Sequence, residues 1–199
     1  MLILKSSTPQ EMMVKNSRFL SEVIAVSTPD EAREVWHQQK IKYDNGGHIV
    51  YAFITGPQGN IAGCSDDGEP SGTAGRPTLE VLKGSNLTNV ILTTARWFGG
   101  TKLGTGGLVR AYTQAAQLAL EAIETRELIP MASCSLQLPY SLYEQVKRII
   151  QEVNFEITNE DFSNVISLVG TLPDKNFEFF SLQIRELSSG AIKVTLLEQ

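Results

Sequence analysis

Two loops hold the residues of this chain whose types and spacing can do chemistry. The first, residues 64–77 (CSDDGEPSGTAGRP), sets Asp66, Asp67 and Glu69 within four positions. Oxygen ligands of this kind suit a hard cation, and Mg²⁺ uses one or two carboxylates completed by phosphate and water. The same carboxylates can instead pair with Arg76, Arg96 or Arg110, and bidentate Arg–carboxylate pairs would fix the two loops against each other. Pairing is the reading put first. Ser65, Ser71 and Thr73 have only His48 as a base to draw on, which is a thin basis for a Ser–His–Asp arrangement.

The second loop, residues 96–112 (RWFGGTKLGTGGLVRAY), leads from a strand into a helix. Such a junction offers free backbone N–H groups with the positive end of the helix dipole behind them. Glycines at 104, 106 and 107 let that backbone approach an anion, and a phosphate is the natural occupant. Lys102 and Arg110 add charge, and Arg96 lies just upstream. The spacing is not that of a P-loop, because no Gly-Lys-Ser/Thr closes it. The plainer reading is a tight turn whose glycines serve close packing. Of the 16 glycines in the chain, 14 lie between Gly46 and Gly107. Trp97 and Phe98 can stack on a base or belong to the core. His48 opens an apolar strand and is read as a supporting group of the loops.

The whole chain narrows these choices. It has 199 residues, 42% hydrophobic and 20% charged, ordinary for a globular protein. The net charge of −5 argues against a protein that coats nucleic acid non-specifically. Its distribution permits a confined anion site: no Asp or Glu occurs from 81 to 120, where Lys83, Arg96, Lys102 and Arg110 stand. No apolar run approaches the ~20 residues of a membrane helix, and no signal peptide is legible. Cys64 and Cys134 are the only cysteines and His37 and His48 the only histidines, so no Cys/His metal spacing exists. Reduced thiols and a cytoplasmic protein are expected, with no cofactor and no metal.

The elements that must position the loops follow from patterning. Residues 11–27 read as one or two strands with Lys15-Asn16-Ser17-Arg18 as a polar interruption. Thr28 caps a helix to about residue 40, with Pro29 at its first position and Glu31 completing a capping box. Asp44-Asn45-Gly46-Gly47 reads as a turn. Residues 48–55 and 61–65 are strands around a turn at 56–60, residues 76–83 a short helix, and 88–97 a strand. The helix after the glycine loop places Leu108, Ala111, Tyr112, Ala115, Ala119, Ala122 and Ile123 on one face. Residues 126–130 read as a linker. The remainder reads β-α-β-β-α-β: strands at 132–138, 155–158, 165–172 and 191–197, a helix with a capping box at Ser141–Glu144, and a second helix from Pro173 to Gly190.

At the two loops the sequence resembles the YigZ/IMPACT family. The resemblance rests on residues 65–77, on Arg96-Trp97-Phe98-Gly99-Gly100, and on residues 103–112. Lys15 to Phe19, His48 and Tyr51-Ala52 also fit, and Thr101-Lys102 is a small departure. The resemblance implies an α+β protein of two domains. Residues 1–130 would be like the second domain of ribosomal protein S5, and 131–199 ferredoxin-like, similar to the fifth domain of elongation factor G. Eukaryotic relatives regulate translation through an additional N-terminal domain that this chain is expected to lack, so their regulatory partner is not carried over. The expected function is a translation-associated, non-enzymatic factor that binds RNA or the ribosome through the two-loop face, with no membrane contact. Arg96, Lys102, Gly104, Gly106, Gly107 and Arg110 would meet the anion. His48, Asp66, Asp67, Glu69 and Arg76 would support the loops. The alternatives are a Mg-dependent enzyme acting on a phosphorylated small molecule or nucleotide, and a protein-interaction module.

Overall fold

The structure, a computed structural model, describes residues 1–43 and 47–197. Of the expected turn at Asp44-Asn45-Gly46-Gly47, the first three residues lie outside the described residues. The chain divides into two compact units, Met1–Leu128 and Ile129–Gln199.

In the first unit a five-stranded sheet carries the loops. Its strands are β2 (Gln10–Val14), β3 (Ser17–Ala25), β4 (His48–Thr55), β5 (Ile61–Ser65) and β6 (Val90–Trp97), in the order β2-β3-β6-β4-β5, with every neighbouring pair antiparallel. The polar interruption proves to be a two-residue hairpin turn. Lys15 and Asn16 both take positive φ, 45° and 64°, which matches the twist of the strands they join. β6 is central, and every residue but Trp97 is buried, so both of its faces are covered and its burial does not alternate.

Helices cover both faces of that sheet. The helix α1 (Pro29–Lys42) covers Phe53, Ile91 and Tyr51. Thr28 Oγ1 accepts from Glu31 N at 3.1 Å, and the Glu31 carboxylate reaches back to Ser27 N, so the expected start is confirmed. The helices α2 (Gly75–Gly84) and α3 (Thr105–Glu121) cover the other face, over Phe19, Val50, Ala52 and Leu92. Ala111, Ala115, Ala116 and Ala119 are buried along α3, and these small side chains let it lie close on β3. Ile123 does not extend the helix. It opens β7 (Ile123–Glu127), which pairs antiparallel with β1 (Leu2–Ser7). That pair corrects the reading of 126–130 as a plain linker. β7 has four exposed residues of five and carries no apolar alternation to reveal it.

In the second unit β8 (Met131–Leu138), β9 (Glu156–Phe162), β10 (Ile166–Pro173) and β11 (Thr195–Leu196) are ordered β11-β8-β10-β9. With α4 (Tyr143–Glu152) and α5 (Phe177–Leu187) between them this is a ferredoxin-like domain. Val146, Ile150, Phe180 and Ile184 fill its core. Two local expectations fail. No side chain caps α4, because a single 3-10 turn over Tyr140–Leu142 takes the place of the capping box. The last strand is formed only at Thr195–Leu196.

Candidate anion-binding face

Register brings Phe19, His48 and Arg96 side by side at one end of the sheet, because Arg96 pairs with Phe19 on β3 and with His48 on β4. From there β6 runs into the glycine loop. Arg96 does not reach solvent. Its Nη1 donates to Glu69 Oε1 at 2.6 Å, and the two side chains are only 7% and 3% exposed. Tyr112 Oη donates to the same Oε1 at 2.9 Å. Arg96 Nη2 and the Gly99 amide share Ser17 Oγ at 3.4 and 3.2 Å. The guanidinium lies 5.6 Å from the Phe19 ring and 5.8 Å from Phe98. Burial, and then the neighbouring Glu69 charge, push the Tyr112 hydroxyl far above its ordinary range. The expectation that Arg96 meets an anion is therefore corrected: its charge is spent on Glu69 inside the core. Ser17 and Tyr112 complete this network. Sequence reasoning missed both as site residues, and the only signal was a tyrosine hydroxyl on the buried stripe of α3.

The other two carboxylates are also engaged. Asp66 accepts from the amides of Gly72 (2.8 Å), Ala74 (3.0 Å) and Gly75 (2.8 Å), so it fills the N-terminus of α2. Burial pushes its carboxyl up, but these three amides outweigh burial and hold it below the usual range. Asp67 accepts from Lys40 Nζ at 2.6 Å and from the Ile49 amide at 2.7 Å. Its backbone sits at φ 43°, and its carbonyl accepts from His48 Nδ1 at 2.7 Å. Of the expected arginine partners, only Arg96 pairs with this loop. Arg76 and Arg110 are exposed, and among the described residues neither forms an ion pair. Among the described residues no group of three potential metal ligands converges.

The glycine loop is different. Gly99 is joinery, since a Cβ there would fall on the backbone of Asn16. Gly104 stands at the cap of α3 with φ 72°, which L side chains resist. Gly106 has no such reason: its backbone is ordinary, and a Cβ would meet nothing within 4 Å. No side chain caps α3, and its first turn has no acidic residue. Lys102 and Arg110 flank this open end, exposed and without ion pairs among the described residues. Phe98, earlier in the same loop, is 60% exposed. The two glycine-rich helix starts thus differ in one respect. The α2 end is neutralised by Asp66, and the α3 end is not.

This combination of fold and loops defines a family. The Impact N-terminal domain matches residues 15–120, and a domain of unknown function, DUF1949, matches residues 136–191. The chain belongs to the IMPACT family. It is 36% identical to an IMPACT family member of Haemophilus influenzae, over 99% of this chain and 97% of that one. It is 33% identical to the IMPACT family member YvyE of Bacillus subtilis, over 94% of this chain and 86% of that one. A crystal structure described as that of a hypothetical protein superposes with a TM-score of 0.78 at 28% identity, covering 100% of this chain and 97% of the other. The fold is accordingly ribosomal protein S5 second-domain-like followed by ferredoxin-like.

Proposed function

We propose that this protein is a non-enzymatic, translation-associated factor that binds RNA, free or in the ribosome, through the N-terminal end of α3. One observation carries the reading. The α3 start is the glycine-rich junction that no carboxylate among the described residues occupies, and along the chain it stands between the exposed cations Lys102 and Arg110. Phosphate oxygens would take the amides of Gly106 and Gly107 with the helix dipole behind them. Gly104 shapes the approach. Arg96, Glu69, Asp66, Asp67 and His48 hold the loops from beneath, and Arg76 stands at the rim of the same face. Two free thiols, one exposed and one buried, agree with a cytoplasmic setting. Among the described residues no helix is long and apolar enough to cross a membrane.

The test is co-sedimentation with ribosomes or RNA at low salt. Lys102→Glu combined with Arg110→Glu should abolish it, and wild-type binding should fall steeply as salt rises. A folded double variant that still co-sediments as wild type would reject the site. A second reading, a protein-binding face, draws on the open groove between α2 and α3, about 440 Å³, with Pro77, Val81 and Val109 along it. Salt-insensitive capture of a protein without RNA would favour that one. The Mg-dependent reading is the poorest supported, because both oxygens of Asp66 and of Asp67, and Oε1 of Glu69, already accept from protein donors.

A further inference from the structure

His48 has one ring nitrogen committed and one free. Nδ1 lies 2.7 Å from the carbonyl oxygen of Asp67. A carbonyl only accepts, so Nδ1 carries the hydrogen, and in the neutral ring Nε2 carries a lone pair. Among the described residues nothing bonds Nε2. The arrangement is built with some care. Asp67 is held in the left-handed region by Lys40, by the Ile49 amide and by Ser65 Oγ, and this aims its carbonyl at the imidazole. Gly68 lies against the ring, where a Cβ would come within 3.1 Å of Nδ1. His48 is half-buried, and its unbonded Nε2 is not among the side-chain atoms sealed from solvent.

His48 also stands at the right end of the sheet. It pairs across the β4–β6 ladder with Arg96, two residues before Phe98 and the glycine loop. A lone pair repels phosphate oxygens and calls for a donor. On a nucleic acid bound at the loop, the donor next to every phosphate is the ribose 2′-hydroxyl, which DNA lacks. We propose that His48 Nε2 accepts a hydrogen bond from a ribose 2′-hydroxyl, so that the face selects single-stranded RNA over DNA. This deepens the RNA reading above and rests on it.

The experiment is fluorescence anisotropy with one sequence of about 12 nucleotides, made as RNA, as DNA and as 2′-fluoro RNA, whose sugar cannot donate. Wild-type protein should bind RNA about five- to tenfold more tightly than 2′-fluoro RNA, the effect of one hydrogen bond. His48→Asn keeps a donor at the Nδ1 position for Asp67 and removes the outer nitrogen. It should bind RNA as weakly as wild type binds 2′-fluoro RNA, with DNA affinity unchanged and no further loss when variant and modified RNA are combined. Because the 2′-fluoro arm uses wild-type protein, a folding defect in the variant cannot mimic the result. Equal wild-type affinity for RNA and 2′-fluoro RNA would overturn the assignment. So would a His48→Asn variant that keeps the full preference. If wild type binds none of the three, this inference falls, and ribosome co-sedimentation still decides the broader reading.

Discussion

Glu69 is the residue on which the site assignment can be broken most directly. Among the described residues it is the only carboxylate paired with Arg96, the pair is almost fully buried, and Tyr112 shares the same oxygen. Glu69→Ala leaves a guanidinium uncompensated in the core. Removing one partner of a buried pair costs about 3–5 kcal/mol, a large share of the 5–15 kcal/mol typical of a domain. Replacing both partners, Arg96→Met with Glu69→Leu, removes the charges together. Such replacements run from neutral to about 4 kcal/mol stabilising. The Tyr112 and Ser17 hydroxyls would then lose a partner at about 1 kcal/mol each. The double variant should therefore lie within about 2 kcal/mol of wild type. Urea titration followed by tryptophan fluorescence reads the first unit alone, because Trp36 and Trp97 both belong to it. The double variant should also bind RNA as wild type does, since Arg96 is not offered to the ligand. A Glu69→Ala cost below about 1 kcal/mol would refute the burial argument. Loss of RNA binding by a stable double variant would return Arg96 to the anion site.

Two further outcomes follow from the loops. Gly106→Ala adds a methyl where nothing stands within 4 Å. It should stabilise the protein by up to about 1 kcal/mol while weakening RNA binding severalfold, and a variant unchanged in binding would return Gly106 to a purely structural role. Asp66 has a depressed carboxyl in the folded state, so the stability it contributes is present above its ordinary value of 3.8 and is lost as pH falls through the lower folded value. The stability gap between wild type and Asp66→Asn should be constant from neutrality down to about pH 5 and close on further acidification. A gap independent of pH down to acid unfolding would show that Asp66 does not cap α2 as an anion.

Much of the fold was legible because it is written in local patterns. The β-branched run of β6, the capped start at Thr28 and the alanine stripe of α3 each follow from spacing within one segment. The strand pattern of the second unit was also readable, though β9 runs longer and β11 shorter than the pattern suggested. The β1–β7 pair was not legible, since a polar strand such as β7 is defined by its partner and not by its own residues.

The site divides along the same line. The residue types and the clustering of charge and glycine belong to the sequence, as does the strand-to-helix junction that makes an anion site conceivable. Which cations remain available does not. Arg96, Lys102 and Arg110 are chemically alike along the chain, and only the pairing of β6 with β3 and β4 turns Arg96 inward onto Glu69. Likewise only the folded acidic loop sends Asp66 to one helix start and leaves the other open. A charge is neutralised by whatever lies within a few ångströms of it, and those neighbours come from segments far apart in the chain.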